Sequence, residues 1–481
     1  MTDANPLPEQ TDEVSKRWRW GIYWILIAIS LGQMSGRLLA VNDVSSSQLE
    51  VYLHRAGRTN LVLQRPFLSA NDRSRWITIR ALVEEGTYKI DNIIQQSGWD
   101  TIDMVKHDGH LYSSKPPLYP TMLASIYWVI VNTTGATLET HPYEVGRAML
   151  FLVNLVPMLL MFLCLAYVVE HWGRSDWGRI FVMACATLGT FLNTFAIVLN
   201  NHLPAAVCAT FAIVAALKIF YDGERKLWLF FTAGFFAAFV VANELPGLAF
   251  FGLLGLLLLI KAPIQTLIAG VPGALLVIAA FFATNYIAHE SWRPPYAHRN
   301  EGDDWYSYTY EKNGRTHESY WDNRVGIDRG EESPAMYAFH VILGHHGIFS
   351  LTPVWVLSFL GMFIFPFLKQ TPLRGMLLFI LSISLICLLF YLTRDLEDRN
   401  YGGMTSCFRW MLWFAPLWVL AMIPAADFCS KRKVLQSIAI TMLFFSTLSA
   451  SYPIWNPWSH PWIYEGMLHY DMIKPPGTNE E

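Results

Sequence analysis

Charged residues are scarce in this chain. Only 15% of its 481 residues are Asp, Glu, Lys or Arg, whereas 53% are hydrophobic, and a soluble domain usually carries about 25% charged residues. The 35 basic and 38 acidic side chains leave a formal charge of −3, so the basic excess of a typical nucleic-acid-binding protein is missing. The composition therefore excludes a soluble enzyme and gives no reason to expect a nucleic-acid partner.

Cysteine is scarce as well. The chain has six cysteines, and none of them are paired at the short spacing of zinc ligands. The two long hydrophilic segments, at about 40–116 and about 289–347, contain no cysteine. We therefore expect neither a disulfide framework nor a zinc site. No small-residue cleavage motif follows the first apolar run, so this run is predicted to be an uncleaved first span and not a removed signal peptide.

The apolar residues are concentrated in long blocks along the chain. Each has roughly the length that an α-helix needs to cross about 30 Å of hydrocarbon. Spans are predicted at 19–39, 147–169, 178–199, 203–221, 227–243, 246–261, 264–288, 349–368, 374–393, 408–428 and 433–452, with a twelfth candidate at 117–134. The chain is accordingly predicted to be an all-α polytopic membrane protein with about 11–12 transmembrane helices and two long outer loops that carry short interfacial helices.

Basic residues predict the orientation, because short cytoplasmic loops are rich in Lys and Arg. Lys16, Arg17 and Arg19 place the N-terminus in the cytoplasm, and the other basic turns share its face if 117–134 is re-entrant or interfacial, which favours eleven spans. We expect a protein of the inner (cytoplasmic) membrane whose active face points outward. Its predicted parts are a cytoplasmic tail with the first span (1–39), an outer loop (40–146), a bundle (147–288), an outer loop (289–347), a bundle (348–452) and an outer C-terminal tail (453–481).

A helical pattern occurs in the first outer loop. Trp76, Ile79 and Val83 recur at intervals of three and four, so one apolar stripe is predicted to lie on the bilayer surface. Asp72 and Arg75 are three residues apart and would share one face at the start of this helix. Asp72 could equally be an N-cap, since Asp is among the best capping residues, and the two roles can coexist.

A lysine lies further along the same loop. Lys115 immediately precedes Pro116 and Pro117, which open the apolar segment 117–134, and proline is well tolerated in a first helical turn. Lys115 would therefore be held at the level of the lipid headgroups, where phosphates are. A lysine that merely anchors a helix end by snorkelling would give the same pattern.

These residues resemble the first outer loop of the GT-C glycosyltransferases. The nearest branch contains the lipid A aminoarabinose transferases and the protein O-mannosyltransferases, in which an acidic residue follows the first span, an arginine comes three residues later, and Lys-Pro-Pro-Leu opens the next apolar helix. Further similar patches lie at 199–204, at 347–353, and at 400–403 leading to Arg409. The last patch departs from the family's Gly-Pro-Arg, because Cys407 and Phe408 precede Arg409.

The resemblance implies an inverting transfer of a sugar from a polyprenyl-phosphate donor to a lipid, glycan or protein acceptor on the outer face of the membrane. Fixed positive charge would stabilise the departing phosphate, most strongly where water is excluded. Lys115 and Arg409 are the candidates for this role, with Arg75 as a third. Asp72 corresponds to the family's acidic residue and would be the catalytic base.

Three more residues are candidates for contacts with the acceptor or the cavity, namely His202, Glu244 and Tyr112. A carboxylate inside lipid costs about 2.5–3.5 kcal/mol on insertion scales, so Glu244 should face the bundle or the outer water. His202 and Glu244 could instead have a structural role or help to bind a divalent cation. The sequence requires no cofactor, and the expected partners are the polyprenyl-phosphate sugar and membrane lipids.

Two other classes of function stay open at this point. A membrane transporter or lipid flippase usually has paired inverted halves and ionisable residues at mid-membrane, whereas this chain has no internal repeat and gathers its charges near the predicted outer ends of its spans. A non-catalytic envelope assembly subunit is the third possibility. The second outer loop is rich in Trp and Tyr, whose rings suit sugar faces and the membrane interface alike.

Overall fold

The computed structural model describes residues 8–41, 67–299, 304–368 and 372–474. Parts of the predicted cytoplasmic tail, of both outer loops and of the C-terminal tail lie outside these residues. Within them, eight helical segments are long and apolar enough to cross a membrane: Ser15–Ala40, Pro142–Trp172, Asp176–Phe195, His202–Phe220, Pro263–His289, Arg374–Leu392, Arg409–Cys429 and Lys433–Ser451. Three shorter apolar segments, Leu227–Asn243, Leu245–Lys261 and Trp355–Phe367, coincide with the remaining predicted spans. The prediction of an all-α polytopic membrane protein is confirmed.

The α-helices have these bounds: Pro8–Ala40, Ala70–Arg80, Leu118–Thr134, Pro142–Leu150, Val156–Trp172, Asp176–Leu188, Leu192–Phe195, His202–Phe220, Leu227–Asn243, Leu248–Lys261, Pro263–Gln265, Val271–His289, Pro334–Ile342, Ile348–Leu351, Trp355–Phe363, Arg374–Leu392, Ala415–Cys429, Lys433–Ser451 and Trp462–His469. Turns of π-helix at Ala81–Glu85, Phe151–Leu155 and Thr266–Gly270 continue neighbouring helices. The strands of the described residues form two antiparallel hairpins: Met104–His107 with His110–Ser113, and Thr309–Lys312 with Arg315–Glu318.

Several predicted spans are broken or shortened, two of them at a glycine or a proline. The span predicted at 178–199 ends as a regular helix at Leu188, before Gly189, and resumes only as the short turn Leu192–Phe195. The span predicted at 349–368 is interrupted around Pro353, because proline lacks the N–H that would continue the helix. The span predicted at 408–428 begins with the 3-10 turn Arg409–Phe414.

The twelfth candidate forms the helix Leu118–Thr134, which is 17 residues long and ends at Gly135 in the left-handed conformation. It does not reach the length of the eight segments that could span a membrane. Its predicted re-entrant or interfacial position, the count of eleven spans, the sidedness and the division into parts all stay predictions.

The helix Ala70–Arg80 does not present its apolar stripe to a bilayer surface, which corrects the sequence prediction. Residues 72–80 are all buried, and both Trp76 and Ile79 are 0% exposed. Phe67 stacks on Trp76 with 4.5 Å between the ring centroids, so the protein itself covers the stripe. The N-cap is Ser69, whose side chain accepts a hydrogen bond from the Asp72 backbone N–H at 3.1 Å. Asp72 is therefore not the N-cap.

One helix pair approaches so closely that only glycine fits. A Cβ atom at Gly234 would lie 2.0 Å from the carbonyl oxygen of Gly270, and small residues allow such approach between membrane helices. We expect Gly234→Ala to lower the stability by about 1–3 kcal/mol through overpacking, measured as a lower Tm in detergent. Gly252→Ala is the matched control, because a Cβ there meets nothing within 4 Å. Equal Tm values for the two variants would contradict this view of the packing.

Candidate functional site

Two cavities adjoin each other beside the hairpin 104–113. The smaller, of about 280 Å³, is lined by Arg75, Lys115, Arg299 and Arg409, and we call it the basic chamber. The larger, of about 1120 Å³, contains Trp321, Trp410, Trp455 and Trp458 in its lining, and we call it the aromatic chamber. They share six lining residues: Asn71, Lys115, Arg299, Trp321, Arg409 and Trp410. The two chambers are therefore compartments of one site.

The hairpin 104–113 brings a carboxylate to the lysine of the Lys-Pro-Pro motif. Its turn is made by Asp108 and Gly109, both with positive φ, as an Asp-Gly turn between two strands requires. The first residue of the hairpin pairs with the last, so the residues just outside it lie side by side. Lys115 Nζ consequently donates a hydrogen bond to Asp103 Oδ1 at 2.7 Å.

Both members of this ion pair are shielded from water, with side chains that are 10% exposed for Asp103 and 18% exposed for Lys115. Burial acts to raise the pKa of Asp103, but the positive charges of Lys115, Arg409 and Arg75 outweigh this effect. The pKa of Asp103 therefore lies below its usual value. Burial lowers the pKa of Lys115 to about 8, because the attraction of Asp103 compensates only in part. At neutral pH Asp103 is therefore ionised, and most of Lys115 is protonated.

A chain of three side chains runs from Glu244 through His202 to Arg409. Glu244 Oε1 contacts His202 Nδ1 within hydrogen-bond distance, and His202 Nε2 lies 3.0 Å from Arg409 Nη1. A guanidinium can only donate, so we assign the His202 ring proton to Nδ1, facing Glu244, and leave Nε2 as the acceptor. Arg409 Nε also donates to the Gly402 carbonyl at 2.6 Å. The guanidinium is thus fixed from two sides at the wall of the chamber.

Asn201 joins this chain to a second arginine. Its side-chain nitrogen donates to Glu244 Oε1 at 2.8 Å, and its oxygen accepts from Arg75 Nη2 at 2.7 Å. Burial lowers the pKa of Arg75 to about 10, which leaves it protonated at neutral pH. In the described part of the chain, no carboxylate forms an ion pair with Arg75 or Arg409. Their charges are therefore available to a bound anion.

Sequence reasoning missed Arg299, the fourth cation of the basic chamber. It forms an ion pair with Asp398 at 2.8 Å, and its guanidinium carbon lies 4.9 Å from the centroid of the Trp321 ring. Arg299 and Asp398 are far apart in the chain and belong to no shared motif. No sequence signal pointed to their meeting.

Asp72 lies outside both chambers. It is 1% exposed, and its Oδ1 accepts hydrogen bonds from Trp76 Nε1 at 2.8 Å and from the Leu199 backbone N–H at 2.9 Å. It borders a separate small cavity together with Phe67 and Leu68, and burial raises its pKa to about 7. Asp72 links the helix Ala70–Arg80 to the segment before His202, and the carboxylate that contacts Lys115 is that of Asp103.

Tyr112 also lies outside both chambers, because neighbouring residues of a strand point to opposite faces. Ser113 points to the helix Ala70–Arg80 and lies 2.6 Å from the Ser74 hydroxyl. Tyr112 points the other way, where its ring packs edge-on against His289 at 5.1 Å. Tyr112 therefore lines neither chamber, and its predicted contact with the acceptor stays a prediction. The other five predicted residues, namely Arg75, Lys115, His202, Glu244 and Arg409, all line the basic chamber.

Metal ligands are not clustered in the part of the chain that the structure describes. It contains no group of three or more His, Cys, Asp or Glu side chains that could hold a metal ion. The divalent cation that the sequence left open thus has no evident set of protein ligands among these residues.

The sequence matches no family model and no curated protein. Three solved structures of the oligosaccharyltransferase of Archaeoglobus fulgidus are similar to this chain. The apo form has 11% identity and a TM-score of 0.47, and the match covers 92% of this chain and 57% of that one. The complex with Zn and sulfate has 13% identity, a TM-score of 0.44 and coverages of 95% and 58%, and the complex with an inhibitory peptide and a dolichol-phosphate has 10% identity, a TM-score of 0.43 and coverages of 93% and 56%. This chain spans just over half the length of those proteins. A likeness at these identities and TM-scores says nothing about activity, donor or acceptor.

Proposed function

We propose that this chain is a membrane glycosyltransferase that takes a sugar from a polyprenyl-phosphate donor and transfers it, with inversion, to a lipid, glycan or protein acceptor on the outer face of the membrane. The observation that carries the proposal is the basic chamber. Four cationic side chains, Arg75, Lys115, Arg299 and Arg409, surround a small cavity in a protein of apolar helices. The resemblance of the Lys-Pro-Pro-Leu patch to the GT-C glycosyltransferases supports the same function.

A phosphate group suits this chamber. Hydrogen bonds between ionised partners are about twice as strong as neutral ones, and the guanidinium fork matches phosphate oxygens. Arg75 and Arg409 hold their charges in place through neutral partners, Asn201 and His202, so an incoming anion does not compete with a carboxylate for them. The same charges would stabilise the phosphate as it leaves the sugar, where preorganised donors have their largest effect.

Asp103 is our proposed base in place of Asp72, because Asp103 lines the aromatic chamber and contacts Lys115. The acceptor hydroxyl or amine attacks the anomeric carbon of the donor sugar, and its proton passes to the Asp103 carboxylate. The bond from the anomeric carbon to the phosphate oxygen breaks on the opposite side. Its electron pair leaves with the polyprenyl phosphate, whose charge Lys115 and the arginines stabilise.

The function can be tested by incubating the purified protein in lipid nanodiscs with a panel of radiolabelled polyprenyl-phosphate sugars. We expect labelled sugar to be released or transferred from at least one donor, with formation of free polyprenyl phosphate. In proteoliposomes, movement of intact donors across the bilayer without cleavage would instead support a flippase. If the donors are neither cleaved nor moved across the bilayer, the proposal is contradicted and an assembly subunit is favoured.

The pH dependence of the reaction should reflect the titration of the Lys115 side chain. The lysine is cationic below its pKa of about 8, so kcat/KM should be retained below this pH and lost as the pH rises through it, because the neutral amine no longer attracts phosphate. Lys115→Arg should retain activity at pH 9 and shift the basic limb upward. Lys106→Arg, on the same hairpin but outside both chambers, is the control. Identical basic limbs for the Lys115→Arg variant and the wild type would contradict this assignment.

A further inference from the structure

The aromatic chamber differs from the basic chamber in its chemistry. Besides four tryptophans it is lined by acids and amides, including Asp103, Asp328, Asn400 and Asn456. Its larger aliphatic residues are few: Val41, Leu68, Ile102 and Met404. The chamber thus combines flat aromatic surfaces with many hydrogen-bonding groups.

Trp455 stands out among the four tryptophans. It lies between the helices Lys433–Ser451 and Trp462–His469, and it is 71% exposed. The other three rings are engaged by neighbours: Trp410 stacks on Tyr391, Trp321 packs against Arg299, and Trp458 lies against Arg409. Within the described residues, no ring or cation contacts the face of Trp455. It presents an open aromatic surface at a polar cavity.

Several buried nitrogens of the lining lack a hydrogen-bond partner among the described residues. They are Nε1 of Trp321, Nε1 of Trp458, Nδ1 of His460, and Nε and Nη2 of Arg299. Buried polar groups of folded proteins are nearly always paired. A ligand that carries many oxygen atoms would supply the missing acceptors.

We infer that the aromatic chamber is the binding site for a saccharide acceptor and that Trp455 is the platform on which one of its sugar rings stacks. A sugar ring offers an apolar face to an aromatic ring and hydroxyl groups to the acids, amides and indole nitrogens around it. This inference rests on the proposed function and narrows its acceptor to one chemical class.

Lipid and peptide acceptors fit this chamber less well. An acyl chain needs a mostly apolar lining, whereas the aliphatic residues here are outnumbered by polar and charged ones. An extended peptide commonly binds by adding a strand to an exposed sheet edge, but no lining residue belongs to a strand of the described residues. The position also fits the chemistry, because Asp103 lines the aromatic chamber next to the shared Lys115.

The inference is tested with the full-length protein in nanodiscs, the active radiolabelled polyprenyl-phosphate sugar, and three acceptor probes: soluble di- to tetrasaccharides of glucose, mannose and N-acetylglucosamine, peptides with Ser and Thr, and phosphatidylethanolamine vesicles. We expect the label on an oligosaccharide. Transfer to peptide or lipid alone would overturn the inference and leave the proposed function intact. Hydrolysis of the donor without transfer to any oligosaccharide would likewise overturn the inference and leave the proposed function intact.

Substitution of Trp455 tests the platform itself. Trp455→Ala should raise the KM for the oligosaccharide about tenfold and leave kcat and the KM for the donor unchanged, while Trp455→Tyr should restore most of the affinity. Trp292→Ala is the control, since Trp292 is 59% exposed and lines neither chamber. An unchanged KM in Trp455→Ala would overturn the platform.

Binding can be measured without turnover by saturation-transfer NMR with the same oligosaccharides. A signal that is lost in Trp455→Ala and retained in Trp292→Ala supports the saccharide site even if the donor is never cleaved, in which case only the proposed transfer fails. The absence of any signal in the wild-type protein would overturn the inference.

Discussion

Asp103→Asn should lower kcat for sugar transfer by about 10²–10⁴-fold, the usual contribution of a positioned general base. Asparagine has the size of aspartate but cannot accept the proton of the attacking group. Asparagine retains a side-chain oxygen that can accept the hydrogen bond from Lys115, and we expect the variant to fold. The measurement is single-turnover transfer with saturating donor, together with Tm in detergent.

Asp72→Asn is the matched control for this prediction. Both hydrogen bonds to Asp72 end on Oδ1, and asparagine retains such an oxygen, so transfer should stay within a few-fold of the wild type. A large loss of kcat in Asp72→Asn, with normal activity in Asp103→Asn, would return the role of base to Asp72.

Removal of the Arg409 charge should have the second large effect. We expect Arg409→Gln to lower kcat by about 10²–10³-fold, as the loss of one preorganised donor to a developing anion does in other enzymes. Arg409→Lys should recover only part of the activity, because a single ammonium group cannot reproduce the hydrogen bonds to both Gly402 and His202. Rapid-quench kinetics with the active donor would measure these losses.

Arg315→Gln provides the charge control, since Arg315 is exposed on the second hairpin and lines neither chamber. Its kcat should equal that of the wild type. Values for Arg409→Gln within about twofold of this control would show that Arg409 does not stabilise the leaving group.

The sequence predicted the helical bundle well because hydrocarbon thickness imposes a length on every span. It predicted helix ends poorly where glycine and proline interrupt an apolar run, as at Gly189 and Pro353. The stripe of Trp76 and Ile79 was assigned to the bilayer surface because an amphipathic pattern does not distinguish lipid from the protein's own core. Burial against Phe67 and neighbouring residues decided the matter.

Three of the four cations of the basic chamber, Arg75, Lys115 and Arg409, were predictable from the sequence, whereas Arg299 and Asp103 were not among the predicted residues. Spacing placed Asp72 and Arg75 on one helix face, but Asp72 binds Trp76 one turn later, and Arg75 reaches Asn201 instead. The Asp-Gly turn at 108 and 109 did contain the signal for Asp103. A two-residue hairpin around that turn sets the register that brings Asp103 beside Lys115.

The most direct test of the basic chamber is equilibrium binding of polyprenyl phosphate and of the uncharged polyprenol of equal length to the protein in nanodiscs. We predict that the wild type binds the phosphate at least about a hundredfold more tightly, equivalent to about 2.7 kcal/mol, and that Arg409→Gln removes most of this preference. Equal affinities for the phosphate and the alcohol in the wild type would contradict a phosphate site in this chamber.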